Sequence, residues 1–97
     1  MARPGKVARG KRRWVGLCIT PATDSRESCH AVISDYLSDI NWKMYDCKSS
    51  QSSTLVIIRV PLEECDDTIS KLNDSGSIQT LTKSGKIRLV RERLGLS

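Results

Sequence analysis

The chain has 97 residues and a formal net charge of +5, and hydrophobic residues make up 38% of it. This length fits a single domain, whose core must be mostly aliphatic because the sequence contains no Phe. No stretch approaches the roughly 20 apolar residues that span a bilayer, so we expect no membrane-spanning helix. Because the basic start has no apolar leader, we expect a cytoplasmic protein that makes no membrane contact.

The basic residues are concentrated at the two ends of the chain. Residues 1–13 contain six basic residues and no acid, and residues 83–97 contain five basic residues and one acid. The middle, residues 14–82, has five basic and ten acidic residues. A charge run is usually only a solvated tail, but two runs flanking an acidic middle favour a phosphate-binding surface. The predicted contacts are Arg3, Lys6, Arg9, Lys11, Arg12, Arg13, Lys83, Lys86, Arg88, Arg91 and Arg93.

The first two predicted elements are a strand and an amphipathic helix. Residues 12–20 are rich in β-forming residues and end at Pro21, which cannot donate to a strand ladder. Asp24 and Glu27 have the spacing of a capping box, and apolar residues then recur at helical spacing as far as Ile40. The pattern therefore predicts a strand over 12–20 and a helix that begins after Asp24 and reaches Ile40.

A hairpin and a second helix follow. Residues 42–48 and 54–60 predict two strands joined by a polar loop, and the apolar run 55–58 indicates that the second of them is central in its sheet. Pro61 suits the first position of a helix, and the acidic residues after it favour the positive end of the helix dipole. Gly76 suits the left-handed position that ends this helix.

The last predicted element is a strand over 77–82, followed by the basic tail. Ile87, Val90 and Leu94 would share one side of a helix, which favours a helical tail. Partial alternation of charged and apolar residues over 86–91 fits a longer strand instead. Both conformations of the tail remain open at this point.

The order β-α-β-β-α-β predicts an α+β fold of the ferredoxin-like (RRM-like) type. In this arrangement a four-stranded antiparallel sheet carries both helices on one face, and the first and third strands are central. We expect a single domain over residues 12–97 that includes a basic C-terminal extension. A basic and flexible arm over residues 1–11 would precede it.

The sequence contains no pattern typical of a metal or catalytic site. The four cysteines lack the short paired spacings of zinc sites, and buried thiols are favoured over disulfides. His30 follows Cys29 directly, and neighbours on a helix point about 100° apart, which argues against a nucleophile and base pair. We therefore predict no catalytic residue and no metal ligand. The cysteines are Cys18, Cys29, Cys47 and Cys65.

The fold alone does not assign a function. The third strand, residues 53–60, lacks the basic, glycine-rich and aromatic pattern on which RNA-recognition motifs stack bases, so base stacking there is disfavoured. One alternative is a regulatory domain that binds a small ligand through residues 20–25. A third class, an acylphosphatase-like enzyme, would need an arginine in the loop after the first strand, where residues 21–23 contain none.

Two stretches of the sequence resemble a known RNA-associated family. Lys11–Val15, which opens the first strand, and Ile78–Arg88 near the end are similar to the small archaeal and eukaryal ribonuclease P subunit called protein component two. The most specific part is Ser84–Arg88, where this family commonly has a Ser-Gly-Thr-Ile-Arg-like turn. The resemblance covers roughly residues 11–93, and it adds Ser84 and Gly85 to the predicted RNA contacts.

The resemblance implies a non-catalytic, RNA-binding subunit of an endonuclease that removes the 5′ leader from precursor tRNA. In that enzyme the RNA holds Mg²⁺ and performs the cleavage, so the protein itself would bind no cofactor. The implied partners are ribonuclease P RNA, precursor tRNA indirectly, and a second, barrel-like protein subunit, with a homodimer inside a heterotetramer also compatible.

Two departures from the family pattern bear on this expectation. The chain lacks the extra helical sequence that many members have between the first helix and the second strand, which leaves the interface with the barrel-like subunit open. Lys86 replaces the usual small hydroxyl residue after Ser84 and Gly85, which adds charge to that turn.

Overall fold

The computed structural model describes residues 11–96, which form a four-stranded sheet and three helices. The strands lie in one antiparallel sheet in the order β2-β3-β1-β4, with β1 and β3 central as predicted. This α+β architecture is compatible with a ferredoxin-like fold. In chain order the elements are β1 (Arg12–Ile19), α1 (Arg26–Tyr36), β2 (Lys43–Ser49), β3 (Thr54–Pro61), a 3-10 turn (Leu62–Glu64), α2 (Cys65–Asp74), β4 (Ile78–Ser84) and α3 (Ile87–Leu94).

The main core lies between the sheet and the pair α1 and α2. Val15, Leu17 and Ile19 alternate along β1 and are all buried on this face. Ile33 from α1 and Leu72 from α2 are fully buried in the same cluster. Burying an aliphatic side chain of this size stabilises the fold by roughly 1.5–3 kcal/mol, so this layer provides most of the hydrophobic stabilisation.

Helix α1 begins later and ends earlier than the sequence pattern predicts. Its N-cap is Ser25 and not Asp24, because the Ser25 hydroxyl accepts a hydrogen bond of 3.1 Å from the backbone N–H of Ser28. The helix stops at Tyr36, and the prediction that it reaches Ile40 is wrong. Ile40 is nevertheless buried, since a turn brings it back to the core. Apolar spacing therefore identified core residues correctly beyond the end of the helix.

Pro61 ends a strand instead of opening the second helix. It has extended backbone (φ −62°, ψ 147°) and pairs with Arg12 across the central strands. The 3-10 turn then separates it from α2, which begins at Cys65. Gly76 adopts φ +83°, which confirms the predicted left-handed position after the helix.

The C-terminal tail forms helix α3 on the opposite face of the sheet. Val90 of this helix is fully buried. Ile57 on β3, which pairs with Gly16 on β1, is also fully buried, and it does not belong to the main core. A β-carbon at Gly16 would lie 2.9 Å from both Val90 Cγ1 and Leu94 Cδ1, so the helix rests directly on the glycine backbone. The helical alternative for the tail is therefore correct, and β4 also extends two residues past its predicted end, to Ser84.

Polar contacts tie α3 to both edge strands of the sheet. Arg91 donates to both carboxylate oxygens of Asp46 on β2, at 2.8 and 3.2 Å, and this hydrogen-bonded pairing raises the pKa of the Arg91 guanidinium. Arg93 Nη1 donates to Thr82 Oγ1 on β4 at 2.8 Å and to the Lys83 carbonyl at 3.1 Å. These contacts fix the direction in which the helix crosses the sheet.

All four cysteines are free thiols in the described part of the chain. Cys29 and Cys65 are buried as expected, whereas Cys18 and Cys47 are only half-buried. Burial, with a hydrogen bond between its thiol and that of Cys47, raises the pKa of Cys29 to about 12. Burial also raises the pKa of Cys65. Neither buried thiol is therefore activated as a nucleophile at neutral pH.

Candidate nucleic-acid interface

The described parts of the two basic segments meet at one end of the sheet. The start of β1 and the end of β4 are paired, with Trp14 opposite Ser84 and Val15 opposite Lys83. Just beyond β4, a β-carbon at Gly85 would lie 3.3 Å from Arg13 Nη1, so the Arg13 side chain passes over this turn. We call this region the basic end, and its cations are Lys11, Arg12, Arg13, Lys83, Lys86 and Arg88.

Four of these cations are exposed and form no salt bridge with any other residue in the range 11–96. Helix α3 also begins here, and no side chain in the described part of the chain caps its first N–H groups. The positive end of its dipole therefore adds to the positive potential of the side chains. The four cations are Lys11, Arg12, Lys86 and Arg88.

Other predicted contact residues serve the fold itself. Lys83 lies 3.4 Å from Asp66 at the start of α2, and Arg91 and Arg93 anchor α3 to the sheet. The Ser84 hydroxyl accepts a 3.2 Å hydrogen bond from the backbone N–H of Lys86 and so shapes the turn.

The predicted arm falls almost entirely outside the described residues, and three of its four cations lie there. Of that arm only Lys11 is described, and its carbonyl accepts a 3.2 Å hydrogen bond from the backbone N–H of Leu62. The three cations are Arg3, Lys6 and Arg9.

An aromatic and cationic cluster beside the basic end was not predicted from the sequence. Tyr45 on β2 meets the Trp14 ring edge to face, with centroids 6.2 Å apart and planes at 75°. Arg59 Nη1 donates to the Tyr45 hydroxyl at 2.7 Å, and the Arg59 Cζ and Lys43 Nζ atoms lie 5.5 and 5.7 Å from the Tyr45 ring centre. The cluster consists of Trp14, Lys43, Tyr45 and Arg59.

Strand pairing explains why the cluster was missed. Its members come from three strands, and they meet because Trp14 and Lys43 both pair with Arg59. The Trp14 indole N–H is buried without a hydrogen-bond partner among residues 11–96, so packing alone holds that ring. The spacing of Lys43 and Tyr45, two residues apart on one strand, was the available signal that both side chains lie on one face.

Tyr45 also lines an open groove of about 300 Å³ along the edge strand β2. Arg26 forms part of its wall, where its guanidinium donates to the carbonyls of Met44 and Tyr45 at 3.4 and 3.3 Å. The groove is lined by Arg26, Tyr45, Asp46, Cys47, Lys48 and Leu96. Its lining therefore includes one aromatic residue and several charged residues.

The loop over residues 20–25, the expected small-ligand site, is occupied by internal hydrogen bonds. The Thr23 N–H donates to Thr54 Oγ1 at 2.9 Å, and the Ser49 hydroxyl donates to the Thr23 carbonyl at 3.1 Å. Thr54 is fully buried and also lies 2.9 Å from the Ser49 hydroxyl. These groups hold the loop against the hairpin, which weakens the small-ligand interpretation.

His30 is an exposed histidine in a packing role. Its ring lies on that of Trp42 with centroids 4.6 Å apart, and its Nδ1 is 3.3 Å from the Ser34 hydroxyl. Within residues 11–96 no three His, Cys, Asp or Glu side chains are grouped so that they could hold a metal ion. Over the same range, no helix is both long and apolar enough to cross a membrane.

Comparisons of the chain with family models, curated proteins and solved structures give no match. The residues themselves therefore provide the evidence for a function, and the strongest feature is the meeting of the two basic segments beside the N-terminus of α3.

Proposed function

We propose that this chain is an RNA-binding, non-catalytic subunit of ribonuclease P that contacts the RNA phosphate backbone through its basic end. The observation that carries the proposal is the pairing of Trp14 with Ser84, which joins the two basic segments. The two stretches that resemble the ribonuclease P subunit, Lys11–Val15 and Ile78–Arg88, therefore contribute to neighbouring strands.

Phosphate contact at this end would be governed by charge. Each exposed Lys or Arg that meets a phosphate releases about one condensed counterion, which makes binding favourable and strongly dependent on salt. Such contacts position an RNA without reading its sequence. The role that follows is to neutralise phosphates where RNA helices crowd together.

The proposal assigns the chemistry to the RNA. Mg²⁺ and hydrolysis of the precursor tRNA leader would belong to ribonuclease P RNA, and this chain would contribute no catalytic side chain and no cofactor. Its direct partners would be that RNA and a barrel-like protein subunit, with precursor tRNA reached indirectly and a second copy of the chain as a further partner. The proposed setting is the cytoplasm.

Reconstituted cleavage of precursor tRNA tests the proposal. With the RNA and partner proteins held constant, we expect adding this chain to raise the cleavage rate or to lower the Mg²⁺ concentration required. The Arg12→Ala, Lys86→Ala double variant should give less of this gain than a Ser70→Glu, Lys71→Ala variant with the same net charge. An unchanged rate and an unchanged Mg²⁺ requirement on adding the wild-type chain would contradict the proposal.

A further inference from the structure

Tyr45 is a half-buried residue that is held in a fixed position at the side of an open groove. It lies where the pairing of β2 with β3 shifts register between Met44 and Asp46, and such a bulge re-aims a side chain. Arg59 donates a 2.7 Å hydrogen bond to the Tyr45 hydroxyl, and the Trp14 ring packs against the Tyr45 ring. Tyr45 also lines the groove of about 300 Å³. A ring fixed in this way loses little conformational freedom when a flat ligand stacks on it.

The charges around Tyr45 favour an anionic ligand. Lys43 and Arg59 lie within 6 Å of its ring centre, and Arg26 and Lys48 line the adjoining groove. Among residues 11–96, Asp46 is the one acidic residue that lines the groove, and Arg91 pairs with it through two hydrogen bonds. The surroundings of the ring are therefore cationic, as a phosphate-linked ligand requires.

We propose that Tyr45 is a stacking subsite for one unpaired nucleotide of the bound RNA. The inference rests on the proposed function, since Trp14 belongs both to the cluster around Tyr45 and to the strand end that pairs with Ser84. The nucleobase stacks on the Tyr45 ring, and the flanking phosphates face the neighbouring cations. A groove of this volume is at the lower end of the range for small-molecule pockets and suits a single nucleotide.

This subsite differs from the stacking surface that the sequence argued against. The third strand, which carries stacked bases in RNA-recognition motifs, offers Arg59 here, and the aromatic ring comes from β2 instead. Bases inside a duplex are stacked on one another and cannot reach Tyr45, whereas a base in a single strand, bulge or loop can. The subsite therefore adds a preference for unpaired RNA to the backbone contacts of the basic end.

Binding of two RNA probes to the full-length chain tests the inference. The probes are a short single-stranded oligouridylate and a short RNA duplex, and the variants are Tyr45→Leu, Tyr45→Phe and the control Tyr36→Leu on the exposed side of α1. We expect Tyr45→Leu to weaken single-strand binding about 5- to 150-fold, the usual effect of removing one base-stacking ring, and to change duplex binding less than about twofold. Tyr45→Phe keeps the ring and should retain most of the affinity, and Tyr36→Leu should match the wild type.

The other outcomes would overturn either the stacking subsite alone or the subsite together with the proposed function. Equal losses for both probes, or no loss for either, would overturn the stacking subsite and leave backbone binding intact. Failure of the wild-type chain to bind either RNA would overturn the subsite and the proposed function together.

If Tyr45→Leu does not fold, Trp14 serves as a fluorescent reporter in a Trp42→Phe chain that keeps Tyr45. Single-stranded RNA should then change Trp14 emission more than the duplex does, and identical changes would overturn the subsite.

Discussion

Replacing Arg12 and Lys86 together by alanine should weaken binding of duplex RNA about 100-fold at low salt. Both side chains are exposed, and they lie on the two basic segments that meet at the end of the sheet. Each phosphate contact contributes a slope of about 0.9 to the dependence of log affinity on log salt, which amounts to roughly tenfold in affinity near 50 mM salt. Affinity measured by fluorescence anisotropy across a salt series gives the slope, which should fall by about 1.8.

The matched control removes the same charge elsewhere. A Ser70→Glu, Lys71→Ala variant has the same net charge as the Arg12→Ala, Lys86→Ala variant, but both of its positions lie on α2, where Ser70 is exposed and Lys71 pairs with Asp39. Its salt slope should stay close to that of the wild type. Equal losses in the two double variants would mean that net charge alone, and not the basic end, determines RNA affinity.

The second large effect is expected at Gly16, where α3 packs on the sheet. A Gly16→Ala substitution places its β-carbon 2.9 Å from Val90 Cγ1 and Leu94 Cδ1, closer than packed carbon atoms tolerate. Overpacking of this kind lowers the free energy of unfolding by about 1–3 kcal/mol, and each kcal/mol lowers Tm by roughly 4–8 °C in a domain of this size. Urea denaturation measures the change, and faster hydrogen exchange of the α3 amides should accompany it.

Gly85 provides the control for the same chemical change. A β-carbon there meets only the guanidinium of Arg13, which is the mobile end of a long side chain. Gly85→Ala should therefore leave the free energy of unfolding within about 0.5 kcal/mol of the wild type. If Gly16→Ala were equally harmless, α3 would not pack on the second face of the sheet as described.

The order of elements and the main core could be read from the sequence, because both depend on local patterns. The apolar run over 55–58 indicated a central strand, and β3 lies between β2 and β1. The helical spacing of Ile33 and Leu37 marked core positions, and both side chains are fully buried. The end of α1 at Tyr36 was not predictable in this way, because Leu37 and Ile40 reach the same core from a turn.

The position of α3 could not be predicted, although its helical character could. Ile87, Val90 and Leu94 indicate an apolar helix side, but their spacing does not say which face of the sheet receives it. Gly16 determines which face of the sheet receives α3, because only a strand without a side chain at this position lets Val90 and Leu94 approach so closely. In the sequence it appeared only as one glycine within an otherwise β-forming stretch.

The basic end was partly predictable and the Tyr45 cluster was not. Charge counting found Arg12 and Lys86, and antiparallel pairing of β1 with β4 brings their segments together. Charge counting could not separate the exposed cations from Arg91, which is paired with Asp46. The spacing of Lys43 and Tyr45 indicates a shared face, but the cluster also depends on strand register and on a bulge at Tyr45, which the sequence pattern does not show.

Chemical-shift mapping of the isotope-labelled chain with a short RNA duplex tests the central claim most directly. We expect the largest amide shift changes at Lys11–Trp14 and Ser84–Arg88, and we expect them to decline steeply as salt is raised. Changes centred on α1 and α2, or on the loop over residues 20–25, would contradict that claim, as would the absence of changes at both predicted segments.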